Sequence, residues 1–267
     1  MGLGYTTMMY DEESIQEGIS DIAACQYDGV EMGLEKLRHV GPDTVLNWLD
    51  KYALECYCVM GEWPVNDAAI ERIREGAKLA AEVGATYYGV LPPERHREEQ
   101  KTVADWLDGI GAAAEDAGIT PLIHHHGATE IEQPDEIEHW LEVAPDNFEL
   151  LFDTAHYYPY GDPIDGIERF ADDIAYVHLK DVDPSADFDA HTAALSNDEY
   201  HLDNVINYFR AFTDLGHGVL DFETIHRTLI ETDFQGHFTI EVENRTDPRL
   251  IHAKQNFDFW TDITGQN

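Results

Sequence analysis

Eight short apolar runs rich in β-forming residues recur along the chain, and most of them close on a polar or charged side chain. They read GLGYTTMMY, YDGVEMGL, LECYCVMG, TYYGVLPPE, ITPLIHHH, FELLFD, IAYVHLK and HFTIEVEN. The stretches between them carry the helical period instead. A helix is predicted over roughly residues 12 to 25. A second runs from Val65 to Val83, with Ile70, Ile73, Ala77 and Ala80 on one face and Gly84 as its stop. The next turns Val103, Trp106, Ile110, Ala113 and Ala117 inward and closes at Gly118. Pro134 opens another at its first turn, and Gly161 to Pro163 starts one between FELLFD and IAYVHLK. Strand and helix in strict alternation predict a parallel sheet with right-handed crossovers. Residues 1–267 match one (β/α)8 TIM barrel, for which about 250 residues is typical, and no linker-like composition divides them.

One segment interrupts the rhythm. From Val182 to about Val219 the chain is acidic at first, then carries His191, Tyr200, His201 and Tyr208 before the turn LGHGVLDF. After a seventh strand this reads as a long loop over the mouth of the barrel, serving as a lid, a substrate-recognition element or an oligomer contact.

In a barrel of this kind the polar residues that end each strand face one pocket at the C-terminal rim. Asp153 and His178 end apolar runs, with His156 and Lys180 just beyond them. His124, His125 and His126 end another run, and Glu241 and Glu243 end the last. A single histidine at a strand end is commonly just a hydrogen-bonded residue. Four consecutive strands delivering imidazoles and carboxylates to one rim point instead to a divalent metal site.

With these residues the chain resembles the sugar phosphate isomerase/epimerase superfamily, the xylose-isomerase-like TIM barrels that include inosose dehydratase, dehydroshikimate dehydratase, ketose 3-epimerases and, more distantly, endonuclease IV. DTAH followed by YVHLKD, HHHGAT, LGHGVLDF and the terminal TIEVEN carry the resemblance, which spans nearly the whole chain. It implies metal ligands at His124, Asp153, His178 and Glu241, with His126, His156 and Lys180 lining the substrate site. His124 stands where the epimerases place a glutamate, as in the inosose dehydratase branch. The ligand set then has two carboxylates and two imidazoles, which favours Mn, with Co, Ni, Fe or Zn as alternatives, over Mg. The implied reaction is metal-assisted isomerisation or epimerisation of a keto sugar, sugar phosphate or cyclitol through an enediolate, with dehydration of the inosose type as the alternative. Glu241 is the expected base, and His126 or His156 the expected proton donor. By strand-end position Glu31, Glu62 and Trp63 are expected substrate contacts, and His217 has no assigned role.

Charge narrows the partners. Asp and Glu number 54 against 16 Lys and Arg, for a net charge of −38 spread over the whole chain. Such self-repulsion is eased when salt shortens the screening length to roughly 3 Å at about 1 M, so the composition predicts a cytoplasm with molar salt. No basic stripe exists to meet phosphates, which argues against nucleic-acid binding and the nuclease alternative, and favours a neutral sugar or cyclitol as the small-molecule partner. A barrel that binds a sugar without turning it over is a further alternative, and homo-oligomerisation stays open. Cys25, Cys56 and Cys58 have no CxxC spacing and are expected to be reduced. No apolar stretch approaches about 18 residues and no basic leader precedes one, so a soluble cytoplasmic protein without membrane partners is expected.

Overall fold

The computed structural model describes residues 1–243 and 248–265. Its strands are β1 (Leu3–Thr6), β2 (Gly29–Gly33), β3 (Glu55–Met60), β4 (Tyr87–Val90), β5 (Thr120–His124), β6 (Glu149–Asp153), β7 (Ile174–Leu179), β8 (Asp181–Val182), β9 (Phe212–Thr213) and β10 (His237–Ile240). All but β8 and β9 form a closed barrel in the order β1-β10-β7-β6-β5-β4-β3-β2, every pairing parallel. The (β/α)8 reading holds. Strand interiors are buried on both faces, as the near-continuous Val, Ile, Leu and Tyr runs require.

The helices are α1 (Ile15–Ala24), α2 (Leu34–Val40), α3 (Pro42–Tyr52), α4 (Asp67–Glu82), α5 (Gln100–Ala117), α6 (Pro134–Val143), α7 (Thr154–Tyr157), α8 (Pro163–Arg169), α9 (Phe188–Ser196), α10 (Leu202–Phe209), α11 (Phe222–Glu231) and α12 (Arg249–Thr264). On α5 the buried face is Val103, Trp106, Leu107, Ile110 and Ala114, and Gly118 ends it in the left-handed conformation at φ 71°. Predicted turn chemistry also holds at Pro134, where Gln133 and Glu136 form a capping box, and at Asp162, whose side chain caps α8. The expected metal ligand Asp153 doubles as the cap of α7, a feature of the site itself.

The 182–219 segment is not the irregular loop its composition suggested. It folds as α9 and α10, flanked by an antiparallel pair in which β8 meets β9. Phe188, Leu195, Tyr208, Ala211 and Phe212 give it a small apolar core of its own, shared with Ala155 and Val182 of the barrel rim. The turn that follows is held by Asp181, whose carboxylate accepts from the backbone N–H of Gly216, Gly218 and Leu220. His217 is exposed on that turn. Among the described residues no helix is long and apolar enough to cross a membrane, and the three cysteines are buried and unpaired.

Candidate metal centre and substrate site

Strand β6 ends at Asp153, and the chain turns at once into α7. The turn is possible because Asp153 Oδ1 accepts from the N–H groups of Ala155 and His156, each at 2.9 Å. Such a cap is worth about 1 kcal/mol. It leaves Oδ2 facing the barrel axis, 3.6 Å from His124 Nε2 and 3.6 Å from His178 Nδ1. His178 Nδ1 also lies 3.5 Å from Glu241 Oε2. Ligands about 2.0–2.2 Å from one ion, at tetrahedral or octahedral angles, are roughly 3.0–3.5 Å apart. The expected ligands thus fall into two overlapping sets that share His178: His124, Asp153 and His178 lie at nearly the right spacing for one ion, while Glu241 groups with His178 and Glu31.

Hydrogen bonding points the same way. Both ring nitrogens of His124, Asp153 Oδ2, His178 Nδ1 and Glu241 Oε2 are buried without a well-formed hydrogen bond. Buried polar atoms without a hydrogen bond cost free energy, and the group of His124, Asp153 and His178, with Glu241 reaching it from the His178 side, fits a cation. His178 Nε2 contacts Glu31 at 2.7 Å, a carboxylate behind a ligand histidine that fixes its orientation and basicity. Glu31 is buried off the cavity wall and groups with His178 and Glu241 as a second set of residues that could hold an ion.

Lys180 supplies the one ammonium inside the cluster. Its Nζ contacts Glu241, lies 2.8 Å from Glu243 and 3.3 Å from Asp153, and sits 4.9 Å from the centre of the Phe212 ring. It does not pair with Asp181, which is occupied by the 216–220 turn. Lys180 thus faces Asp153, Glu241 and Glu243, and Glu31 stands behind His178, so the centre has negative charge to spare for a divalent ion. Burial would raise the Asp153 and Glu241 carboxyls, yet Lys180 and the neighbouring imidazoles hold both well below the usual range. Burial would lower His178, but Glu31 and Glu241 raise it well above the ordinary value. Glu243 is raised by burial.

An open cavity of about 260 Å³ lies above this centre, walled by His124, His126, Glu241, Glu243, Lys36 and Trp63. That is just under the usual range of about 300–1,000 Å³ for drug-sized ligands and suits a small polyol. Trp63 is 41 % exposed and meets His126 edge-to-face at 5.1 Å. Glu62 borders the same space, but Arg72 grips both of its oxygens at 2.6–3.0 Å, so its carboxylate is engaged within the wall. His126 and His156 pack 3.7 Å apart.

The 182–219 segment adds a residue that strand-end reasoning could not find. Tyr208, on α10, is fully buried and places its hydroxyl 2.9 Å from His156 Nδ1. Its signal was the amphipathic run LDNVINYF, which marks a helix but not what that helix touches. Asn244 of the TIEVEN motif lies outside the described residues.

A family model described as xylose isomerase-like TIM barrel matches residues 19–263. The inosose dehydratase of Histophilus somni (strain 129Pt) is 27 % identical over 265 residues, covering 90 % of this chain and 86 % of that protein. Among solved structures, the 3-keto-D-glucoside 4-epimerase of E. coli superposes with a TM-score of 0.76 at 17 % identity, covering 99 % of each chain. The IOLI protein, solved with a bound zinc atom, superposes with a TM-score of 0.71 at 15 % identity, over 99 % of this chain and 96 % of its own.

Proposed function

The chain belongs to the xylose isomerase-like TIM barrel family, and on that premise we propose that it is a divalent-metal-dependent lyase that removes water from a neutral keto-cyclitol of the inosose type. The observation that supports this reading is the buried, hydrogen-bond-poor group of His124, Asp153 and His178, with Glu241 3.5 Å from His178, below a small cavity. The name of the Histophilus somni relative supports the substrate class. The zinc of the IOLI protein supports a metal in a barrel of this fold. With two imidazoles in the set, manganese is the first expectation, then cobalt, nickel, iron or zinc, and magnesium is disfavoured. The ion, when bound by those four residues, supplies Lewis acidity to the carbonyl and neighbouring hydroxyl oxygens of the substrate.

The chain's own residues do the rest. Glu241, kept ionised by Lys180 and His178, takes the proton from the carbon beside the carbonyl. As that C–H bond breaks, its electron pair forms a C=C bond and the β C–O bond opens. The departing hydroxide leaves as water with the proton that Glu241 removed, passed on through the imidazole of His126 or His156, so that each side chain ends as it began. Lys180 balances the carboxylates of the centre, and Trp63 offers a face for the ring of the substrate. A net charge of −38 supports a neutral substrate and a cytoplasm with molar salt.

Isomerisation or epimerisation of a keto sugar is the second reading, because it shares the first proton transfer. The histidine at 124 weighs against it, since a symmetric two-carboxylate exchange across the substrate loses one partner there. The deciding experiment incubates the protein in molar KCl and deuterated water with an inosose and each of Mn, Co, Ni and Zn. Product lighter by one water supports the lyase. Product one mass unit heavier than the substrate, from a single carbon-bound deuterium, supports the isomerase. No turnover with any metal overturns both and leaves a sugar-binding barrel.

A further inference from the structure

We propose that the substrate site continues past Trp63 into a second pocket for another hydroxylated ring, so that the chain takes a keto-cyclitol or keto sugar carrying a glycosyl substituent. This deepens the reading of the first cavity as a carbohydrate site and rests on it, whichever reaction follows there. The second pocket measures about 300 Å³ and lies on the same C-terminal rim, between the turns that follow β3 and β4. Trp63 borders it and also borders the cavity of about 260 Å³ above His124 and Glu241, so one indole is wall to both spaces. The first cavity suits one small polyol and the second is slightly larger. A free monocyclic substrate therefore leaves the second pocket to water.

The lining decides what kind of group fits there. Pro64, Val65 and Pro93 add apolar surface to that of Trp63, while Glu94, Arg97 and Glu98 bring charged heads to the same pocket. Trp63 and Val65 are well exposed, at 41 % and 69 %, and this is apolar surface that a ligand can cover. A sugar or cyclitol ring has apolar C–H faces and a rim of hydroxyls, so it meets both kinds of wall at once. A hydrocarbon substituent would take water from three charged side chains and return no hydrogen bond. A phosphate would meet two carboxylates against one guanidinium, and Arg97 already donates to Glu94 at 3.1 Å and lies 4.0 Å from Asp198. Neutral hydroxyls can donate to the carboxylates and accept from the guanidinium.

The walls of the pocket are fixed by their own contacts. On one side the Val65 N–H donates to the Trp63 carbonyl at 2.9 Å. On the other, the Glu130 N–H donates to the Pro93 carbonyl at 3.0 Å, and the His96 N–H donates to Glu130 Oε2 at 3.0 Å. The Arg97 guanidinium sits 5.6 Å from the centre of the Tyr200 ring, so the 182–219 segment braces this wall as well. A pocket held in this way loses little conformational freedom when it is filled.

Saturation-transfer difference NMR on the zinc-loaded full chain in molar KCl tests the proposal without turnover, because it reads weak binding and reports which ring touches the protein. The probes are an inosose and glucose beside trehalose, sophorose, laminaribiose, maltose, cellobiose and gentiobiose, glucose pairs that differ in how the rings are joined. At least one pair is expected to bind about tenfold more tightly than glucose, with saturation on both rings. Val65→Trp fills the second pocket from an exposed position, and in it the advantage of that pair over glucose is expected to vanish. Single rings that bind while no pair gains, or saturation confined to one ring of every pair, overturn the second subsite and leave the carbohydrate reading standing. An advantage undiminished in Val65→Trp overturns the placement of the second ring in this pocket. No binding by any probe, the inosose included, overturns the carbohydrate reading and the subsite with it.

Discussion

Around Arg95 each carboxylate meets a fixed donor, whereas around Asp153 the acceptors outnumber the donors. Arg95 lies 6 % exposed just past β4 and holds Glu136 through two parallel hydrogen bonds of 2.8 and 2.7 Å, with Glu132 also at 2.8 Å. Backbone N–H groups complete the set: Ala128 to Glu132 at 2.6 Å, and Glu132 and Gln133 to Glu136 at 3.2 and 3.0 Å. The Tyr200 hydroxyl donates to Ala128 O at 2.6 Å and accepts from Arg95 N, which ties the 182–219 segment to the same knot. At the Asp153 centre, among the described residues, one ammonium, Lys180, faces three carboxylates, and ligand atoms on four residues lack a hydrogen bond. Both clusters are buried, charged and on the C-terminal rim. Both clusters leave buried atoms without a hydrogen bond, Arg95 Nε and Glu132 Oε1 in one and ligand atoms on four residues in the other, so neither burial, charge nor an unmet acceptor marks a functional site by itself; what sets the Asp153 cluster apart is that its unmet atoms gather beneath an open cavity.

The sharpest way to break this contrast is to remove one acceptor from each cluster. Asp153→Asn keeps the oxygen that caps α7 and removes the charge that faces the centre. It is expected to abolish stoichiometric metal by elemental mass spectrometry and to lower kcat/KM by about 10³-fold or more. Metal at 100 times its Kd is expected to add about 2.7 kcal/mol to wild-type stability and nothing to the variant. Arg95→Met should do the reverse. It strands the buried Glu132 and the half-buried Glu136 and is expected to cost about 3 kcal/mol in chemical denaturation, while the folded fraction still binds one metal per chain. If Arg95→Met lost the metal and kept its stability, the two clusters would not be separable.

A smaller effect tests the boundary of the centre. Glu31 bonds His178 from behind, and Glu31→Gln is expected to weaken metal affinity about 10- to 100-fold in a competition titration without changing stoichiometry. An unchanged affinity would make Glu31 a filler of the barrel interior.

Much of this was legible in the sequence because a barrel strand ends at the rim, so the residue type at each end is nearly a list of the pocket's contents. His124, Asp153, His178 and Glu241 are read that way, and so is Trp63. The partners across the barrel were not legible. Glu31 comes from β2 and His178 from β7, two strands that do not pair, and periodicity gives the end of a strand without saying which side chain it meets in the interior. Glu62 has the same strand-end signature as a substrate contact, yet Arg72 one turn into α4 engages both its oxygens. The 182–219 segment hid for a different reason. Its helices bury their faces on each other and on the rim and not on the barrel core, so acidic composition outweighed the short apolar stripe that carries Tyr208.

The smallest effect separates the clusters by pH. Burial alone would raise the Glu136 carboxyl, but Arg95 and the N–H groups of Gln133 and Glu132 hold it below the usual carboxylate range. The unfolded chain therefore takes up this proton at a higher pH than the folded one, and in that interval stability rises with pH. The contribution is fully present above the unfolded value of about 4.3 and is lost as pH falls through the lower folded value. Glu136→Gln is expected to be less stable than wild type by about 1–2 kcal/mol at pH 7, and the gap should close as the pH drops below the ordinary carboxylate range. Urea unfolding at a series of pH values reads this directly. A gap that stayed constant down to the acid limit would mean that Arg95 holds Glu136 by shape and not by charge, and the Arg95 cluster would then differ from the Asp153 cluster in kind and not only in its distance from the cavity.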